Sequence, residues 1–222
     1  MTALAERTRA AVPRLGQDVV KRIVDLAVSL TVIAALAALL VLLCALVRLT
    51  SRGPALFRQE RIGKNMRPFT MLKLRTMQAG NDDEVHRRYV THLLSTGRPA
   101  SAQQNGLYKL DCDPRVTRLG RWLRRTSLDE LPQLLNVLRG QMSVVGPRPV
   151  LPWEAQLFGD TYQWRFAVKP GITGLWQVSG RSRLSMRQAL ELDVEYAIRQ
   201  SFRLDLAIML RTPRAILRGA AR

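Results

Sequence analysis

The stretch Arg124-Arg125-Thr126-Ser127-Leu128-Asp129-Glu130-Leu131-Pro132-Gln133-Leu134-Leu135-Asn136-Val137-Leu138-Arg139-Gly140, running on through Met142-Ser143-Val144-Val145 into Gly146-Pro147-Arg148-Pro149, sets two adjacent carboxylates among arginines. Leu131, Leu134, Leu135 and Leu138 recur at i, i+3, i+4 and i+7, which predicts a short helix with one apolar stripe and Asp129 pointing away from the core. Ser127 with Glu130 three residues on has the form of a capping box, so the plain reading is that these acids start a helix and favour its positive end. Pro132 fits that cap poorly, because it removes a helical hydrogen bond unless the helix begins later.

The arginines argue for more than a cap. Arg115, Arg118, Arg121, Arg124 and Arg125 precede the acids, and Arg139 and Arg148 follow them. Adjacent cations keep a carboxylate ionised. Their excess over two acids leaves guanidinium forks for phosphate oxygens, which they match bidentately. In Gly146-Pro147-Arg148-Pro149 the prolines fix φ on either side of Arg148 and lower the entropy cost of holding it toward a ligand.

Working outward toward the N-terminus, Leu26 to Val47 is a run of 22 residues without a formal charge. As a helix it reaches about 33 Å, enough to cross a bilayer core. No small-residue cleavage site follows it before Arg48, so it is not a cleavable signal. Arg7, Arg9, Arg14, Lys21 and Arg22 precede the run, and Arg48, Arg52, Arg58, Arg61, Lys64 and Arg67 follow it, so both flanks ask for the cytoplasmic side. A spanning helix satisfies one flank; a re-entrant hairpin satisfies both. Asp25, one turn inside Lys21-Arg22, is costly at that depth unless paired, and pairing with Lys21 or Arg22 is the expectation.

Ser51-Arg52-Gly53-Pro54 ends the apolar helix. Ala55 to Arg61 and Pro68 to Leu74 then form two short strands around a Gly63-Lys64-Asn65 turn, a β-hairpin. Alternation puts Lys73 and Arg75 on one face of the second strand, where both could meet one anion. Asp82 to Leu94 is a candidate helix, with His86 and His92 on different faces and so no shared metal. Asp111-Cys112-Asp113 is a weak acidic match followed by a turn-forming Asp-Pro pair. Pro152 to Phe166 is helical in character and aromatic, suited to core or headgroup level. Leu190 to Leu217 is a final helical region, interrupted near Ser201 and at Pro213.

The net charge is +18. Such a field suits an anionic membrane face, a diphosphate or nucleic acid, and composition does not choose among them. Cys44 and Cys112, with no CxxC, indicate a reducing compartment.

The run from Ser127 to Pro149, with Phe57-Arg58-Gln59-Glu60-Arg61-Ile62-Gly63 and Lys73-Leu74-Arg75-Thr76-Met77 before it and Val168-Lys169-Pro170-Gly171-Ile172-Thr173-Gly174-Leu175-Trp176-Gln177-Val178-Ser179-Gly180-Arg181 after it, resembles the monotopic phosphoglycosyl transferases, the bacterial sugar transferase family. The resemblance covers roughly residues 20 to 212, and Lys21-Arg22-x-x-Asp25 matches the family's opening. It implies transfer of a sugar-1-phosphate from a UDP-sugar to polyprenyl phosphate, with Asp129 as nucleophile and Glu130 as a positioning or metal-shell carboxylate. Asp129 and Glu130 are then the candidate Mg²⁺ ligands. Arg124, Arg148 and Arg181 match the family's motif arginines and hold phosphate or nucleotide, with Lys73 and Arg75 supporting.

The expected fold class is α+β and predominantly helical. Residues 1–20 are a basic tail, 21–50 a membrane-embedded helix, re-entrant as in the family, and 51–222 a compact cytoplasmic catalytic domain with a small β-hairpin, on the bacterial inner membrane. One departure stands out: the proline that breaks the family's membrane helix is missing from the Leu36-to-Val47 half. Membrane lipid is an expected partner and a homo-oligomer stays open. No nucleic-acid partner is expected, since no binding motif accompanies the charge. A membrane-tethered nucleic-acid binder and a non-catalytic scaffold of a polysaccharide assembly system stand as alternatives.

Overall fold

The computed structural model describes residues 15–78, 87–88, 90–92, 115–180 and 184–220. The first fourteen residues of the tail, His86, Asp111-Cys112-Asp113 and Arg181 lie outside the described residues. Helix α1 runs without a break from Leu15 to Thr50. Its central face is exposed, with Leu30 at 56% and Val41 at 70%, so the apolar run is not the core helix of the domain. At its end, the Ser51 hydroxyl donates to the Val47 carbonyl and Gly53 adopts a positive φ of 112°. A φ of this sign strains any residue with a Cβ, which explains glycine there.

The hairpin is present as expected. Strands β1 (Leu56–Ile62) and β2 (Pro68–Leu74) pair antiparallel from Leu56 opposite Leu74 to Ile62 opposite Pro68, with Asn65 left-handed in the turn. Helix α2 (Arg118–Thr126) is capped by Thr117, whose hydroxyl accepts from Gly120 N. A 3-10 turn over Leu128–Glu130 leads into α3 (Gln133–Leu138). Strand β3 (Ser143–Val145) lies parallel to β4 (Gly171–Thr173), joined through α4 (Pro152–Leu157) and a 3-10 segment over Asp160–Ala167. Three helices complete the chain: α5 (Leu175–Ser179), α6 (Met186–Arg199) and α7 (Phe202–Ala220).

The predominantly helical α+β class therefore holds, with two two-stranded sheets among the described residues. Phe158 and Trp176 join the largest core cluster with Val150, Phe166 and Leu190, so these aromatics are core, whereas Trp164 is exposed. Val90 is fully buried in the same cluster, and Arg87–Arg88 and Val90–His92 are helical, in line with the helix expected there. The break near Ser201 is observed, but Pro213 sits inside α7 without ending it.

Two local expectations are overturned. Ser127 carries no cap bond from its side chain; it is the left-handed C-cap of α2, its N–H donating to Leu123 O. The helix begins after Pro132, which sits at the N-cap of α3 with no N–H to lose. Leu134 is buried, but so are Gln133, Asn136 and Val137, so the face turned inward is rotated away from a pure leucine stripe.

The N-terminal part of α1 is bound to the domain in an unexpected way. Asp25 does not pair with Lys21 or Arg22; its Oδ1 accepts from Ser143 Oγ and Val144 N, both at 2.9 Å. Lys21 Nζ donates to Asp205 Oδ2 at 2.7 Å and to Val145 O at 3.0 Å, and Arg22 donates to Val137 O and Leu138 O at the end of α3. Each group finds a partner on β3, α3 or α7, so all three side chains dock the helix onto the domain.

Candidate active site

The acidic pair is set by the junction between α2 and α3. Ser127, at φ 58°, reverses the chain, and the 3-10 turn then carries Asp129 and Glu130. Asp129 is only 5% exposed, not outward-facing as its position on a leucine-striped helix implied. A non-glycine residue in the left-handed region costs about 1–2 kcal/mol, and such strain is concentrated at functional sites.

Lys73 comes to this pair from β2. Its Nζ lies 3.2 Å from Glu130 Oε1. Burial pushes the Lys73 ammonium below its ordinary pKa, opposed by Glu130 and Asp129 and reinforced by Arg148 and Arg61. All four of these side chains thus act on one nitrogen. Lys73, Glu130 and Arg148 line a small open cleft with Met71, Gln133, Pro149, Gly171, Ile172 and Gln177. Sequence reasoning missed Gln133 and Gln177, although both lie inside the motifs that carried the resemblance.

The Arg148 loop is pinned at both ends. Gly146 N donates to Thr173 O and Gly171 N to Pro147 O, while Ile62 N donates to Val150 O. A Cβ on Gly146, Gly171 or Gly174 would strike the facing backbone, which explains glycine at these crossings. Two buried arginines brace the loop from behind. Arg61 donates to Pro149 O at 3.4 Å and lies 3.6 Å from Glu154. Arg165, 2% exposed between the rings of Phe158 and Phe166, donates to Arg148 O at 2.7 Å and to Asp193 Oδ2 at 2.6 Å. Burial raises the Asp193 carboxyl to about 6 even though Arg165 opposes it. An arginine within an aromatic run gave no sequence signal for this role.

The remaining predicted cations divide. Arg75 does not face an anion with Lys73; its Nη2 donates to Ser51 O at 2.8 Å and Ser51 Oγ at 3.0 Å, closing the negative end of α1. Strand β2 ends at Leu74, and just beyond it the Arg75 side chain reaches the end of α1. Arg124 Nε donates to Thr76 Oγ1 at 2.8 Å, which ties α2 to the end of the hairpin. Among the described residues, Arg148 is a predicted arginine that lines the cleft.

The chain belongs to the bacterial sugar transferase family: the family model matches residues 16–219, a span that includes α1 as well as the domain. Among individual proteins, it is 41% identical over 198 residues to a UDP-galactose-lipid carrier transferase of Erwinia amylovora, covering 89% of this chain and 40% of that one. It is 40% identical over 222 residues to a UDP-glucose:undecaprenyl-phosphate glucose-1-phosphate transferase of Caulobacter vibrioides, covering 96% and 76%. With the exopolysaccharide production protein ExoY of Sinorhizobium fredii the identity is 38% over 196 residues, covering 88% and 84%.

Proposed function

We propose that the protein transfers a sugar-1-phosphate from a UDP-sugar to polyprenyl phosphate at the cytoplasmic face of the bacterial inner membrane, initiating a polysaccharide or glycoconjugate. The observation that carries this reading is the cleft in which Lys73, Glu130 and Arg148 converge beside the buried Asp129. Diphosphates resist nucleophiles because their oxygens are negative, so transfer needs positioning and cations that absorb charge in the transition state. Names of similar proteins, with UDP-glucose as donor and undecaprenyl phosphate as acceptor, support the substrate class. They favour neither the scaffold nor the nucleic-acid alternative.

In the proposed sequence an Asp129 carboxylate oxygen attacks the β-phosphorus of the donor. The bond from that phosphorus to the bridging oxygen breaks, UMP departs with the bridging oxygen, and the sugar phosphate is held as an acyl phosphate. A phosphate oxygen of the lipid acceptor then attacks the same phosphorus and releases the Asp129 carboxylate. Lys73 and Arg148 hold the diphosphate oxygens, and Glu130 orients Lys73. Asp129 and Glu130, adjacent carboxylates beside the cleft, are proposed to hold a Mg²⁺ of the type bound by one or two carboxylates and completed by substrate phosphates. When bound, the ion offsets the repulsion between carboxylate and diphosphate. Arg181 is proposed as a further phosphate ligand on its motif alone.

The helix α1, continuous from Leu15 to Thr50 rather than broken into the hairpin expected from the sequence, is proposed to keep both of its ends on one membrane face. Its start is held by Val145, Val137, Ser143 and Asp205, and its end, through Leu43, Val47 and Ser51, by Leu74, Leu123 and Arg75 of the same domain. A helix crossing the bilayer carries its ends to opposite faces. Exposed Phe202, Leu206, Leu210 and Leu217 on α7 supply an apolar stripe that can lie in the same interface.

The decisive test is purified protein in nanodiscs with Mg²⁺ and candidate UDP-sugars, without acceptor, followed by rapid acid quenching and intact mass measurement. UMP release and a mass gain of one sugar phosphate are expected, lost in Asp129→Asn and discharged by polyprenyl phosphate. Near wild-type turnover in Asp129→Asn ends the nucleophile assignment.

A further inference from the structure

A second cationic site lies where α1 meets the domain. Gly140 has φ 77°, and a Cβ built there would lie 3.8 Å from both Arg22 Nη2 and Lys169 Nζ, so the two cations border one small space that glycine leaves open. Arg22 is already oriented, because Nη1 donates to Val137 O at 2.6 Å and Nη2 to Leu138 O at 2.8 Å. Lys169 is half-buried, and among the described residues its Nζ makes no hydrogen bond or ion pair. Burial first, then Arg22, hold its ammonium below the ordinary range, with Lys64 adding to the effect and Asp25 and Asp18 opposing it. The Asp25 oxygen that faces the domain is bonded to Ser143 and Val144. Two cations with no dedicated counter-ion are costly in a partly desolvated place, and a bound anion removes that cost.

We infer that Lys169 and Arg22 form a binding site for the anionic phosphate headgroup of a membrane lipid. A lipid rather than a free anion is indicated by the neighbours of Arg22 on α1: Val19, Val20 and Ile23 are 58%, 46% and 60% exposed, an apolar flank suited to acyl or prenyl chains. The site is joined to the cleft, since the backbone of Lys169 packs against Gly146 and the next carbonyl, Pro170 O, accepts from Ser143 N. A phosphate held there sits behind the Arg148 loop, where either the lipid acceptor or an anionic phospholipid can supply it. The inference rests on the membrane-embedded reading of α1 and not on the transfer chemistry.

The test is acylation of lysines by an amine-reactive anhydride on the intact wild-type chain in nanodiscs, with Lys169 labelling followed by peptide mass spectrometry. Only the neutral amine reacts, so a phosphate that raises the Lys169 pKa by one unit slows its labelling about tenfold. Four nanodisc conditions are compared: a zwitterionic lipid alone, that lipid with phosphatidylglycerol, that lipid with polyprenyl phosphate, and that lipid with inorganic phosphate in solution. Slowing by polyprenyl phosphate alone supports the site with the acceptor as its ligand, and slowing by phosphatidylglycerol as well supports it with phospholipid. Equal slowing by inorganic phosphate, or none in any condition, overturns it. Nucleotide-sugar turnover in the same samples reports separately on the transfer reaction, so either idea can fail without the other.

Discussion

Lys73 is the residue at which charge, burial and the proposed diphosphate substrate meet. Its ammonium is disfavoured by burial and by Arg148 and Arg61 when the cleft holds no anion. A diphosphate reverses that balance, so the pKa of Lys73 rises on binding and the complex takes up protons in the range between the free and bound values. Calorimetry of UDP-sugar binding to Asp129→Asn, in buffers of differing ionisation enthalpy, should show uptake that disappears in Lys73→Met. Proton release, or uptake unchanged in Lys73→Met, contradicts the placement of the diphosphate at Lys73. The motif pattern made Lys73, Glu130 and Arg148 legible as a group. It could not show that Arg75, two residues from Lys73, turns to the carbonyls of α1, because that depends on where a distant helix ends.

At the scale of elements, a few buried polar groups hold helices to strands. Asn136, fully buried on α3, accepts from Leu72 N at 3.0 Å and donates to Thr70 O at 2.7 Å, binding the outer edge of the hairpin. Asn136→Leu leaves both backbone groups without these partners, and unfolding stability should fall by roughly 2–6 kcal/mol at about 1–3 kcal/mol per buried unmet group. A denaturant midpoint equal to wild type would show that the hairpin is held by apolar packing alone. The Arg165–Asp193 pair ties α6 to the Arg148 loop and brings a pH dependence. Because Asp193 is raised to about 6 in the folded protein, the native state binds more protons than the unfolded one between pH about 4 and about 6. This group therefore makes no contribution below that window, and its penalty grows as pH rises, to about 3 kcal/mol once past pH 6. Stability curves should decline across that window in wild type and flatten in Asp193→Asn; equal slopes would place the titration elsewhere.

For the whole molecule, the central question is how one long apolar helix, proposed to be membrane-embedded, can be docked to a domain at both ends. Cysteine labelling from outside intact cells, with Ala3→Cys and Ser51→Cys in a cysteine-free background, should reach neither site; labelling at position 3 alone requires a spanning helix instead. The sequence by itself determined the apolar run, the hairpin, the helical character of the C-terminal half and the acidic pair, because each depends on short-range periodicity, turn chemistry or a contiguous motif. Only the tertiary structure decided that Lys21, Arg22 and Asp25 dock α1 to Asp205, Val137 and Ser143 rather than pair among themselves. It likewise decided that Asp129 is buried beside Lys73 and that Arg61 and Arg165 brace the Arg148 loop. The physical reason is common to all of these. A buried charge is satisfied by whichever group the fold brings to its side, and the partners here stand more than fifteen residues away along the chain.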